Sequence, residues 1–263
     1  MIERRETRDG VRWGGPLVIG LTLLSSLVSP LSSLDAQSPA PRYNPASLAA
    51  TSFLEQVTST VVSRSGGAER TRTIARTARF GVSVSGDTIV VSGDSLALSE
   101  SVGGVDRTLD ASGFLGGRWL LFISPLGVPR IHHRPFVPDE ITEVSDVAAA
   151  MDDFFLRTPP PLAVNASATD SANTRWDRLA DSAGSQRYRW SVTRQHEGVQ
   201  IVADTVPLQV REVTRESGTL TWSPAGAPLA WSRTIHSKVT SAIRGRTVQA
   251  VVDQRITVRR VAP

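Results

Sequence analysis

The chain of 263 residues has no cysteine, four histidines and a single lysine, Lys238, among its 29 basic residues. Without cysteine there are no disulfide bonds and no cysteine for lipid attachment, so a hydrophobic core must hold the fold. The scarcity of histidine also disfavours a zinc site, which needs three or four nitrogen, sulfur or carboxylate ligands.

A concentrated charge of one sign is lacking as well. The 29 basic residues face 25 acidic ones, giving a formal charge of +4 that is spread along the chain. Nucleic-acid binding needs a concentrated basic patch. We therefore expect no nucleic-acid partner, and we interpret the preference for arginine over lysine as compositional.

Long apolar runs are missing except near the N-terminus, where Leu17 to Val28 follow several arginines. A basic region, a short apolar core and a small residue at the end are typical of a signal peptide, predicted here as residues 1–36 with cleavage near Ala36. The alternative is an uncleaved anchor, but Pro30 interrupts the run well before the ~20 apolar residues that span a bilayer. We expect an exported protein, periplasmic or extracellular, with no permanent membrane anchor after cleavage.

The mature chain alternates apolar and polar residues with the two-residue period of half-buried strands. After an extended linker at residues 37–45, the sequence predicts one β-rich domain over residues 46–263. Its β regions are a segment at 69–123 and a meander at 186–261. Glycine-containing turns are expected within the meander at 196–198, 216–218 and 223–226.

Two segments show helical spacing instead. Residues 47–63 predict either a short N-terminal amphipathic helix or a helix that runs into a strand, and residues 139–157 predict a central amphipathic helix. The apolar stripe of the central helix is Ile141, Val144, Val147, Ala148, Met151, Phe154 and Phe155. The predicted fold is α+β and β-dominated: a curved antiparallel sheet, half-barrel or barrel-like, with the central helix packed across it.

Motifs for catalysis are scarce. His132 and His133 could share a metal only if His196 and His236 converged on them. The carboxylates around Glu143 fit a solvated helix face. The sequence contains no Gly-x-Ser-x-Gly motif and no glycine-rich phosphate loop. We predict no catalytic residues, no metal and no cofactor.

The candidate ligand-binding residues are Trp190, Trp222, Trp231 and Arg233, on the apolar faces of the meander strands. The tryptophans either fill a β core, the commoner role of large aromatics, or line a cavity for an apolar ligand. Arg233 falls in register with Trp231 and points inwards. It must therefore find a carboxylate, a ligand anion or the mouth of the barrel.

Three segments carry a resemblance: Phe80 to Leu98, Asp139 to Leu156 and Gly218 to Val239. Their strand, helix and strand-turn-strand patterns resemble the half-barrel envelope proteins of bacteria, such as lipoprotein-carrier-like domains. The resemblance implies acyl chains held in the concave face of the sheet. It rests on pattern alone, so no functional residue is carried over.

The sequence therefore predicts an exported, non-enzymatic envelope protein that binds a lipophilic small molecule or an envelope protein on its concave face. The alternatives are an outer-membrane β-barrel or a structural protein, and then a hydrolase. The central helix and a C-terminus without an aromatic residue oppose the barrel.

Overall fold

The computed structural model describes residues 40–202, 206–243 and 246–262, all within one compact unit. The predicted signal peptide, its cleavage site at Ala36 and the first residues of the predicted linker lie outside the described residues. The later part of that linker packs against the domain. Tyr43 is buried and donates its backbone N–H to Pro125 O (3.0 Å), while Asn44 donates to Gly226 O (2.8 Å).

Strands make up 65% of the described residues. They are β1 (Thr51–Ser65), β2 (Ala68–Ser85), β3 (Thr88–Val102), β4 (Val105–Leu109), β5 (Arg118–Ile123), β6 (Pro129–His133), β7 (Ser167–Thr169), β8 (Arg175–Ser182), β9 (Ser185–Val202), β10 (Val206–Ser223), β11 (Ala227–Ile243) and β12 (Arg246–Val261). The short helices are α1 (Asp139–Thr142), α2 (Ala150–Phe154) and two 3-10 turns, Pro45–Leu48 and Ser112–Phe114. Among the described helices, none combines the length and apolar character needed to cross a membrane.

All these strands belong to one open, curved antiparallel sheet, which confirms the β-dominated prediction. Their order is β6-β5-β3-β2-β1-β12-β11-β10-β9-β8-β7, with β4 paired to β3. The two predicted β segments meet where β1 pairs with β12, from Ser52 opposite Val261 to Ser65 opposite Val248. One continuous sheet therefore supplies the surface on which the rest of the chain packs.

The predicted N-terminal helix over residues 47–63 is wrong. A 3-10 turn at Pro45–Leu48 leads directly into β1. Threonines and valines dominate this stretch, and β-branched side chains favour strands. Phe53, Glu55 and Val57, two residues apart, are buried on one face, so the two-residue period prevailed over the helical spacing.

The predicted central helix over residues 139–157 is also wrong as a continuous helix. Only α1 and α2 are helical, and residues 143–149 between them form turns. The Asp146 carboxylate accepts a hydrogen bond from Ala149 N–H (3.0 Å), which starts α2 afresh. Nevertheless the apolar residues Ile141, Val147 and Met151 are fully buried, because the segment follows the sheet surface closely.

The expected turns at 196–198 and 216–218 are strand interior instead. Strand β9 runs through Gly198, and β10 runs through Gly218. The expected turn at Ser223–Gly226 is present, and Gly226 adopts a φ of 90° there. A glycine in this sheet therefore marks a close approach as well as a turn.

We call the side of the sheet that carries Phe53, Phe80 and Trp231 the covered face. Phe154 of α2 packs edge-to-face there on Phe53 (5.6 Å between centroids), Phe80 (5.5 Å) and Trp231 (6.3 Å). Phe80 also meets Trp119 of β5 at 5.7 Å. Along the sheet, β5 and β11 are separated by five strand-to-strand spacings of about 4.8 Å each. These few ring contacts can link two strands so far apart only because the covered face is concave.

Phe154→Ala is expected to lower the free energy of unfolding by about 3–5 kcal/mol, because it leaves a cavity at the centre of the covered face. Urea denaturation of the domain measures the change. The matched control is Phe136→Ala, since Phe136 is 82% exposed. Its effect should stay within about 0.5 kcal/mol. Equal losses from the two variants would contradict the central role of Phe154.

Candidate functional site

A cleft of about 600 Å³ opens on the covered face beside Phe154. We call it the tryptophan cleft. Strands β8 to β11 form one wall, and the segments around Gly127 and after α2 form the other. Its walls include the aromatic residues Phe155, Trp176 and Trp190 and the charged residues Arg157, Arg194, Glu216 and Arg233.

Two neighbouring strands of the sheet, β8 and β9, position the two tryptophans of the cleft. Trp176 of β8 lies directly opposite Trp190 of β9, and their ring centroids are 6.3 Å apart. Both are almost fully buried. The indole N–H of Trp190 has no acceptor among the described residues. A buried donor without a partner costs about 1–3 kcal/mol, so this N–H favours any acceptor that reaches it.

Gly218 makes room for the Trp190 ring. It lies opposite Trp190 on one side and opposite Arg233 on the other. A Cβ at this position would overlap Ser232 O and come within 2.9 Å of Trp190 Nε1. The strand interior therefore needs glycine here because the indole lies across β10.

An ion-pair cluster of Glu216, Arg194 and Arg233 closes one end of the cleft. Arg233 donates from Nε (2.9 Å) and Nη2 (2.7 Å) to Glu216 Oε2, and Arg194 Nη1 pairs with Oε1. The Glu216 side chain is only 5% exposed, whereas that of Arg194 is 56% exposed. A buried carboxylate needs such partners, so Glu216 fixes two guanidinium groups at the cleft.

Trp176 is held by a turn that Asp170 organises. The Asp170 carboxylate accepts from Ala172 N (2.8 Å), Thr174 N (2.9 Å) and Trp176 Nε1 (3.0 Å). Burial raises the pKa of Asp170, but these hydrogen bonds outweigh it and hold that pKa below its usual value. The ionised carboxylate therefore stabilises the wall of the cleft at neutral pH.

The opposite wall depends on Gly127, whose φ is 80°. A Cβ there would lie 2.5 Å from the Tyr43 ring and would overlap the Leu156 carbonyl oxygen. That oxygen accepts from Tyr43 Oη (3.0 Å), and Thr158 N–H donates to Leu126 O (3.1 Å). The backbone on both sides of Arg157 is thus fixed at the edge of the cleft.

The four candidate residues from the sequence separate into two groups. Trp190 and Arg233 line the tryptophan cleft. Trp222 packs edge-to-face on Tyr43 at 4.7 Å in the core. Trp231 contacts Phe154 and borders a second, smaller cleft of about 310 Å³ with Glu55 and Arg76.

Sequence reasoning missed Trp176, Arg194, Glu216 and Phe155. Alternation places Arg194 on the same face as Trp190, which was a usable signal. Glu216 was assigned to a turn, which concealed its inward position. Phe155 and Trp176 belong to segments whose place against the meander only the tertiary fold reveals.

Two further polar clusters on β10, β11 and β12 contain residue types that serve in acid–base catalysis. Ser237 and Thr214 donate to Glu212 (2.8 Å each), and these bonds hold the pKa of Glu212 below its usual value. Such a carboxylate is a weak base. His236 instead pairs with Asp253 at 2.7 Å. Within the described residues, no three His, Cys, Asp or Glu side chains are placed to hold a metal.

The sequence matches no model of a known protein family and no curated protein. The interpretation of the tryptophan cleft therefore rests on its own geometry.

Gly218→Ala is expected to reduce the free energy of unfolding by about 1–3 kcal/mol, because the new methyl group overlaps the Ser232 carbonyl oxygen of β11 and crowds the Trp190 ring. A shift in Trp190 packing should appear in near-UV circular dichroism. Gly198→Ala is the control, since a Cβ there meets only the end of the His196 side chain at 3.3 Å. That variant should be unchanged or up to about 1 kcal/mol more stable. A neutral Gly218→Ala would show that the ring does not need this space.

Proposed function

We propose that the chain is an exported, non-enzymatic envelope protein that binds a lipophilic small molecule in the tryptophan cleft. The observation that carries this proposal is a cleft of about 600 Å³ with walls of Phe155, Trp176 and Trp190. Ligand sites of about 300–1,000 Å³ commonly combine apolar walls with a few placed polar groups. The cleft has both features.

The position of the tryptophan cleft on the concave covered face supports ligand binding in this cleft. Phe154 and its neighbours fill the centre of the covered face, and the tryptophan cleft lies beside them. A ligand there would contact rigid strands on one side and the segment after α2 on the other. Strands and an anchored backbone give a preformed site, which lowers the ordering cost of binding.

The state of the carboxylates supports binding rather than acid–base catalysis. Glu216 is engaged by two arginines. Glu100 accepts from Arg72 and Arg107, both at 2.5 Å. These two arginines outweigh burial and hold the pKa of Glu100 below its usual value, which makes Glu100 a poor proton acceptor.

Export of the full chain is expected to release a soluble protein that begins at Gln37, because the predicted signal peptide ends at Ala36. Cell fractionation and intact-mass measurement after expression in an export-competent bacterium test this. Leu23→Arg, which places a charge in the apolar run, should block processing. Recovery only in the membrane fraction, after processing, would favour the outer-membrane alternative.

Protein purified without detergent is expected to retain a lipophilic adduct in native mass spectrometry. Ala172→Trp should abolish retention, because residue 172 lines the cleft and an indole would fill it. Ala225→Trp is the matched control, since Ala225 is exposed in the β10–β11 turn. Equal retention in the two variants would place the adduct outside the tryptophan cleft. If the unmodified protein consistently carried no adduct, this result would argue against lipid binding.

A further inference from the structure

The tryptophan cleft has two chemically different parts. The rings of Phe155, Trp176 and Trp190 make one part apolar, and Arg157, Arg194 and Arg233 bring positive charge to its margin. An entirely apolar ligand would make no use of the exposed guanidinium groups of Arg157 and Arg194. A cationic ligand would meet three guanidinium groups and be repelled.

Arg194 is the first group that a ligand anion would meet. Its pair with Glu216 engages Nη1, and more than half of its side chain is exposed. A guanidinium carries five N–H donors, so most donors of Arg194 remain in water. Glu216 is shared with Arg233, which leaves the positive charge of Arg194 only partly compensated by this carboxylate.

Arg157 supplies a second cation from the opposite wall. Its side chain is exposed, and it forms no ion pair with the described residues. Its positive charge helps to lower the pKa of Asp170, but the Asp170 carboxylate is already occupied by the turn and by Trp176. The anchored backbone around Gly127 keeps Arg157 at the cleft, so the charge is placed there by the fold.

Among the described residues that line the cleft, Asp152 is the other acidic one, and it does not cancel this charge. Arg134 binds both of its carboxylate oxygens, at 2.7 and 3.0 Å. Asp152 is therefore occupied by Arg134 and does not repel an anion as a free carboxylate would.

We infer that the ligand of the tryptophan cleft is a single-chain amphiphile with an anionic headgroup, a carboxylate or a phosphate. The chain lies along Phe155, Trp176 and Trp190, and Arg194 and Arg157 bind the headgroup. Planar guanidinium groups suit both oxyanions, because they donate two parallel hydrogen bonds. This inference rests on the proposed function and assigns the chemical class of its ligand.

Isothermal titration with matched probes tests the assignment on delipidated protein. Decanoate and decyl phosphate carry the chain and the anion, decanol carries the chain alone, and inorganic phosphate carries the anion alone. Each is used below its aggregation threshold. Decanoate and decyl phosphate are expected to bind about tenfold more tightly than decanol, as charge-assisted hydrogen bonds predict.

Charge-neutral variants locate the headgroup. Arg194→Gln and Arg157→Gln should each weaken decanoate binding about tenfold and leave decanol binding within about twofold. The matched control is Arg189→Gln, because Arg189 lies on the same strand as Arg194 but on the opposite, exposed face. Arg157→Gln breaks no ion pair with the described residues, so it tests the assignment even if Arg194→Gln destabilises the fold.

The possible failures are distinguishable. Equal affinity for decanol and decanoate, or unchanged decanoate binding in both variants, would overturn the anionic headgroup and leave the proposed lipophilic cleft standing. Inorganic phosphate binding as tightly as decyl phosphate would indicate a free-anion site and overturn the amphiphile. No binding of any chain-bearing probe would remove the proposed function together with this inference.

Discussion

The pairing of β1 with β12 is the constraint on which the rest of the structure depends. It joins the N-terminal strands to the C-terminal meander along the full length of β1, from Ser52 opposite Val261 to Ser65 opposite Val248. Without it, the covered face would be two separate surfaces, and Phe154 would have no common core to fill. Because the paired residues are nearly the whole domain apart in sequence, closing this contact is entropically costly and favours slow folding. The segment after β6 can pack only once both halves are in place.

The alternation of apolar and polar residues predicted many of the strands, but it predicted little of how the strands pair and how the other segments pack on them. Alternation at Tyr188, Trp190 and Val192 depends only on neighbouring residues, and it correctly indicated a half-buried strand. The same reasoning failed for residues 47–63, where Leu48, Phe53 and Val57 fit a helical spacing by coincidence while β-branched residues favoured a strand. The same reasoning also failed at Gly218, which was assigned to a turn. This glycine lies within a strand and leaves space for the Trp190 indole, and the sequence alone does not distinguish these two roles. Trp176 and Phe155 could not be assigned to the site, because their proximity to Trp190 arises from tertiary packing.

Several arginines of this chain have a structural role, because they form ion pairs with buried glutamates. Three buried glutamates on the sheet, Glu55, Glu100 and Glu216, are each bound by one or two arginines. A guanidinium can bind a carboxylate through two parallel bonds and is less strongly hydrated than an ammonium, which suits pairs that lose water. Burial raises the pKa of Glu55, and the ion pair with Arg76 only partly opposes this rise. At Glu100, the bonds from Arg107 and Arg72 outweigh burial and lower the pKa. Pairs of this kind add little net stability, because the desolvation of the two groups offsets much of the attraction between them.

Glu216 connects that structural chemistry to the cleft. Its neighbour Gly218, two residues along on the same face of β10, lets Trp190 lie flat across the strand, and Glu216 itself turns Arg194 and Arg233 toward the same volume. A larger residue at 218 would push the ring into the cleft, and an apolar residue at 216 would release two guanidinium groups from a fixed position. Gly218 and Glu216, two residues apart on a single strand, therefore position Trp190, Arg194 and Arg233 on one side of the cleft. The segment after α2 completes both parts of the site, since it supplies Phe155 to the apolar wall and Arg157 to the cationic margin.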